Sequence, residues 1–139
     1  MIAYDTDVLV ELLKGHPTYA AKARAISKEK QFVPIVVVEE IQRGRLNSIR
    51  QAEAGKGGIS LVRAYELYEQ TFAALRSMPL LSYTRIADAQ FQAWRQLKVR
   101  GSTHDLRIAA ICVAYSAKLI TRNRRDFEQL PGLSLDIWE

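Results

Sequence analysis

The chain has 139 residues, of which 48% are apolar and 25% charged, with 20 Lys and Arg against 15 Asp and Glu for a net charge of +5. This composition and length suit a single folded domain over residues 1–139 and argue against a disordered chain. The longest uncharged run, Ile108–Ala117, has ten residues, about half of what a membrane-spanning helix needs, and a lone Cys112 rules out an internal disulfide framework or a Cys-rich zinc site.

The first predicted element is a short strand at Met1–Tyr4, ending on Asp5. Val8, Leu9, Leu12 and Leu13 follow helical spacing up to Gly15, and His16-Pro17 turns the chain. Tyr19–Lys30 reads as a helix. The β-branched run Phe32–Val38 opens as a second strand, and Glu39–Arg50 then reads as a helix. Gly55, Gly57 and Gly58 mark a loop between helical flanks. Ile59–Arg76 is helical, Leu80-Leu81 is a short strand, and Thr84 caps a helix whose stripe is Ile86, Ala87, Phe91, Trp94 and Leu97. Ser102 or Thr103 caps Asp105–Ala117, in which Cys112 reads as core packing. Leu119–Thr121 is a strand, Asp126–Leu130 a helical turn, and Leu133–Ile137 an edge strand.

Short strands alternating with helices predict an α/β fold with a mainly parallel sheet. Ligands of such sheets bind beyond the carboxyl ends of the strands. Asp5 closes the first strand, Glu40 follows the second, Asp105 opens the helix leading into the Leu119 strand, and Asn123 and Asp126 follow that strand. Four carboxylates so placed suit a hard divalent cation such as Mg²⁺, which can promote phosphodiester hydrolysis. No nucleotide-binding P-loop or G-x-S-x-G motif competes, and His16 and His104 stand apart from any motif. Each acid alone also has a plainer reading. Asp5 or Asp7 can cap the first helix, Glu40 can be a solvated helix residue, Asp105 can favour a helix dipole, and Asp126 can be a surface acid beside Arg124 and Arg125.

Together the motifs resemble the PIN-domain nucleases, in particular the VapC toxin branch. Tyr4-Asp5-Thr6-Asp7-Val8-Leu9 resembles the opening motif, Glu40-Ile41-Gln42-Arg43-Gly44 the E-x-x-x-G motif, Asp105–Ala110 the D-x-x-I-A-A motif, and Thr121–Phe127 the final T-x-N-x-x-D/E-F motif. Pro131-Gly132-Leu133 and Trp138 match the ending, whereas Arg45–Trp94 contributes little. The resemblance implies a three-layer α/β/α sandwich and a Mg²⁺- or Mn²⁺-dependent endoribonuclease that leaves a 5′-phosphate and a 3′-hydroxyl. It further implies a small antitoxin partner, a homodimer and a cytoplasmic location, the last also suited by the sparse cysteine usage. Carried onto this chain, Asp5, Glu40 and Asp105 are the core acidic ligands. Some relatives place the fourth acid where this chain has Asn123 and others just before the Phe, which favours Asp126. Thr6, Asp7, Thr121 and Asn123 then support the site.

A carboxylate cluster repels RNA, so flanking cations are expected to bind phosphate. Arg122, Arg124 and Arg125 adjoin the last motif, Arg43, Arg45 and Arg50 follow Glu40, and Arg95, Lys98 and Arg100 precede Asp105. Tyr65, Tyr68 and Phe72 can stack bases, although core packing or a dimer contact is the favoured reading. Three alternatives remain at this level: an RNA-processing PIN nuclease without a toxin role, a non-catalytic PIN-like RNA-binding module, and a haloacid-dehalogenase-type phosphatase using Asp5-Thr6-Asp7. The last lacks the expected late Asp pair.

Overall fold

A computed structural model describes all 139 residues. In chain order the elements are β1 (Ile2–Tyr4), α1 (Thr6–Leu13), α2 (Pro17–Arg24), a 3-10 turn (Lys28–Lys30), β2 (Gln31–Pro34), α3 (Ile35–Glu53), α4 (Leu61–Leu75), β3 (Leu80–Leu81), α5 (Arg85–Gln96), α6 (Thr103–Tyr115), β4 (Lys118–Thr121), α7 (Arg124–Phe127) and β5 (Ser134–Ile137). The five strands form one parallel sheet in the order β3-β2-β1-β4-β5, flanked by helices. The α/β expectation therefore holds, and no helix is long and apolar enough to cross a membrane.

The strand order places the functional end of the sheet. From β1 the chain moves outward through β2 and β3, then returns to add β4 and β5 on the other side. The order thus reverses between β1 and β4, and a crevice opens at such a switch point beyond the strand ends. The pairing Tyr4↔Ile120 closes the β1–β4 ladder, and the Asp5 N–H extends it by donating to the Ile120 carbonyl at 2.9 Å. Asp5 and Thr121 are consequently side by side at this point.

Burial explains most of the helices. In α6, Leu106, Ile108, Ala109, Ala110, Ile111 and Cys112 are all buried, and a helix apolar on so many sides belongs in the interior. Cys112 is a core residue there, and burial pushes its thiol pKa up. Ser102 caps α6 through the Asp105 N–H, and Thr84 caps α5 through the Ala87 N–H.

Three sequence expectations need correction. The helix expected over Glu39–Arg50 starts four residues earlier, at Ile35, because Pro34 ends β2 and α3 follows directly. Burial of Val36, Val37 and Ile41 on one face outweighs the weak helix preference of β-branched residues. Glu40 therefore lies in the second turn of a longer helix. The α5 stripe narrows to Ala87, Phe91 and Trp94: Ile86 lies off that face, and Leu97 is the C-cap beyond the helix end. Tyr65 and Phe72 are about half exposed on the outer side of α4, so they are not core residues.

Element ends also shift. The helix read as Tyr19–Lys30 stops at Arg24, and a 3-10 turn follows. The last helical turn begins at Arg124, two residues before the expected Asp126, because the Asn123 side chain caps it.

Candidate metal centre

Asp5 is built into the junction between sheet and helix. Its extended backbone makes it the N-cap of α1, and one carboxylate oxygen accepts the Thr6 N–H at 2.8 Å. The other accepts the Thr121 hydroxyl at 2.7 Å. Thr121 is fully buried, and its oxygen in turn accepts the Asn123 N–H at 3.0 Å. The capping role and a place in the crevice are therefore both true of Asp5, since each oxygen has its own donor.

The electrostatics of this carboxylate are unusual. It is only 6% exposed, and burial raises its pKa from the ordinary 3.8 to about 6. The hydrogen bonds from Thr121 and Thr6 work against that rise, while the like charges of Asp105 and Asp7 add to it. Asp105 is half-buried in the first turn of α6, and its pKa is also raised, first by burial. The charges of Asp126, Glu40 and Asp7 add to the rise. These mutual repulsions mean that Asp105 lies within electrostatic reach of acids that follow β1 or sit on α1, α3 and α7, although up to 121 positions separate them (Asp5 to Asp126).

Glu40 reaches the site from α3, where it accepts the Thr6 hydroxyl at 2.6 Å. Asp126 is fixed by Asn123: the Asn side-chain amide donates to its carboxylate, and the Asp126 N–H donates to the Asn123 side-chain oxygen at 3.3 Å. Asp7 is exposed in the first turn of α1. All four acids and their four expected supports are thus brought to the same end of the sheet. The structure does not, however, bring any three acidic, His or Cys side chains close enough to hold one ion directly.

The charged groups that act on Asp5 and Asp105 are all carboxylates, so the donor set on offer is one of hard oxygens. That set fits Mg²⁺ or Mn²⁺, because Mg²⁺ is often held by one or two carboxylates and keeps several of its waters. A closed cage of protein ligands would instead suit a structural ion. The mutual repulsion of Asp5, Asp105 and their neighbours is the feature a cation would relieve.

The expected phosphate binders separate into two kinds. Arg124 and Arg125 are exposed at the start of α7 and make no ion pair. Arg43 is paired with Glu39 at 2.7 Å, and Arg122 stands 3.9 Å from Glu11 and over the Tyr19 ring. Arg45 is turned to α4, where its Nε donates to the buried Thr71 hydroxyl at 2.9 Å. Sequence reading missed Glu39, which bridges Arg43 and His104, with His104 Nε2 at 3.2 Å. The Glu39–Arg43 spacing of i,i+4 signals that pair. The approach of His104, 65 positions away, has no local signal and corrects the view of that residue as isolated.

Two grooves lead away from Glu40. One, of about 410 Å³, lies between α1, α3 and α4 and includes Lys14 and Arg45. The other, of about 770 Å³, runs along α3 towards His104 and includes Arg43 and Arg50. Gly44 lines both.

A family model described as the PIN domain matches residues 2–133. No curated protein sequence matches the chain. Among solved structures, VapBC2 from Rickettsia felis bound to a promoter DNA fragment aligns at 19% identity and a TM-score of 0.76, covering 100% of both chains. DNA-bound VapBC from Salmonella typhimurium aligns at 17% identity and 0.73, again covering 100% of both. FitAcB from Neisseria gonorrhoeae aligns at 20% identity and 0.71, covering 97% of this chain and 96% of its own. At these identities the likeness is one of fold.

Proposed function

The chain belongs to the PIN-domain family, and we propose that residues 1–139 form one divalent-metal-dependent endoribonuclease domain that serves as the toxin of a VapBC-type toxin–antitoxin pair. The observation that carries the reading is buried Asp5, with its raised pKa, at the sheet's switch point and within electrostatic reach of Asp105, on which Glu40 and Asp126 also act. Structural groups seldom gather like charges in a crevice, whereas catalytic sites do so regularly.

Asp5 and Asp105 are the principal ligands. Thr121 and the Thr6 N–H hold Asp5 in one orientation. Glu40, which accepts from the Thr6 hydroxyl, binds the metal through water or holds the attacking water, and Asp126, held by Asn123, completes the acidic pocket. Mg²⁺ or Mn²⁺ held there would acidify water and neutralise charge on the phosphodiester. Arg124 and Arg125, with Arg122 and Arg43 further out, attract the RNA backbone. Hydrolysis leaves a 5′-phosphate and a 3′-hydroxyl.

The toxin role draws support from whole-chain likeness to proteins solved as VapBC and FitAcB assemblies. A small antitoxin is the expected partner, a homodimer the expected assembly, and the cytoplasm the expected location.

The test is cleavage of total bacterial RNA with and without Mg²⁺ or Mn²⁺, with end mapping, for wild type, Asp5→Asn and Asp105→Asn. Metal-dependent cleavage by wild type, with 5′-phosphate ends, and its loss in both folded variants are expected. Full activity in either variant would overturn the site, and release of phosphate from small phosphomonoesters in place of RNA cleavage would favour a phosphatase. For the toxin role, growth arrest on expression should be relieved by the product of a small adjacent reading frame that co-purifies with this chain. Growth unaffected by the active nuclease would leave an RNA-processing enzyme.

A further inference from the structure

Gly44 stands in the middle of α3, yet neither the backbone nor the packing requires a glycine there. Its φ is not positive, and a Cβ added to it would meet no atom within 4 Å. A glycine inside an exposed helix destabilises it relative to Ala. The position therefore weakens α3 without serving its fold.

Its location is more informative. Gly44 follows Glu40 by one helical turn, so both lie on the same face of α3. Both grooves leading from Glu40 include Gly44. The helix thus forms a ridge between them, and Gly44 is the bare saddle in that ridge. Lys14 and Arg45 stand on one side, Arg43 and Arg50 on the other, against the carboxylates of Glu39 and Glu40. The larger groove has only Leu46 as an apolar lining residue. Cations on both sides of one bare helix turn suit a sugar–phosphate backbone, whose phosphates they can neutralise.

We infer that Gly44 is where the RNA strand crosses α3. The strand packs on the bare helix surface, which sets the scissile phosphate beside Glu40, and its two arms run on into the two grooves. The missing side chain permits the close approach. Gly44 is a positioning residue, and this inference rests on the ribonuclease reading.

Thiol protection tests the crossing. Cys112 is fully buried, so Gly44→Cys introduces the single accessible thiol. In the Asp5→Asn background, which is expected to keep RNA uncut, total bacterial RNA at low salt should slow maleimide labelling of Gly44→Cys severalfold. Labelling of Gln92→Cys, on an exposed position of α5, should not change. In the active protein, Gly44→Ala should raise Tm by roughly 3–5 °C, and Gly44→Gln should raise KM for RNA about tenfold or more with a smaller change in kcat. A purely structural glycine would not lower RNA affinity while its replacement stabilises the fold.

Retained RNA with unchanged labelling, or Gly44→Gln with unchanged KM, overturns the crossing and leaves the nuclease reading intact. Failure of the Asp5→Asn protein to retain RNA, together with no cleavage by the parent, overturns both. Protection by a co-purified polypeptide but not by RNA reassigns the saddle to a protein partner and overturns the inference.

Discussion

Asp5 and Glu40 both accept hydrogen bonds from Thr6, yet they stand on walls of different construction. The Asp5 wall is the seam between β1, β4 and α1. There a buried carboxylate has a donor on each oxygen, and a fully buried threonine links it to the next loop. The Glu40 wall is the partly exposed side of α3, where Arg43, Glu39 and His104 form pairs open to solvent and Gly44 leaves the helix bare. In the low-dielectric seam, charge is costly and geometry is fixed. On the exposed side, each ion pair contributes little to stability and can exchange for a phosphate. The seam is thus suited to hold an ion, and the exposed side to guide a substrate.

The sharpest way to break this division is Asp105→Asn. It removes a proposed ligand and should reduce metal-dependent cleavage by about 10³-fold or more, with circular dichroism unchanged. Loss of less than about tenfold would place Asp105 outside the reacting centre.

The second prediction concerns stability without metal. The folded pKa of Asp5 is about 6 against 3.8 in the unfolded chain, so the folded state binds more protons between those values. Stability contributed by the protonated form then diminishes as pH rises through this window, by up to about 3 kcal/mol. In thermal melts with chelator, wild type should be more stable near pH 5 than at pH 7.5. Asp5→Asn should flatten most of this dependence and raise Tm at pH 7.5, because the amide carries no charge to bury. A melt equally stable at both pH values would contradict the buried-charge account.

A smaller effect is expected from Thr121→Val, which keeps the shape but removes the donor to Asp5. It should weaken divalent-ion affinity about 10- to 100-fold and cost about 1–3 kcal/mol of stability at pH 7.5. Unchanged affinity would show that the seam does not orient Asp5. On the exposed side, Arg124→Ala with Arg125→Ala should lower RNA affinity, with kcat at saturating RNA little changed. The slope of log affinity against log salt should become shallower by about 0.7 for each phosphate that is no longer neutralised. An unchanged salt slope would remove α7 from the RNA surface.

The seam was the more legible wall in the sequence. Asp5 ends a β-run and begins a helix, and strand-end acids follow a general rule of parallel sheets. Thr84 and Ser102 likewise announced their helices by ordinary capping chemistry. The α3 wall was less legible because tertiary burial decides it. Ile35–Val38 has strand composition, yet Val36 and Val37 pack into the core as helix. Glu40 meets the Thr6 hydroxyl across 34 positions, and Glu39 meets His104 across 65, so neither pairing has a local pattern. Gly44 was visible as part of a motif, but only its open surroundings separate a packing role from a surface role.

The most direct test of the central claim is calorimetric titration of Mn²⁺ into metal-free wild type and Asp5→Asn at pH 6.5, in buffers of different ionisation enthalpy. Asp5, with a pKa of about 6, is part-protonated there, so binding to wild type should be saturable and release protons. Asp5→Asn should lose most of both the affinity and the proton release. Saturable binding with the same affinity and proton release in the variant, or no saturable binding to wild type, would contradict the assignment of this seam as the metal centre.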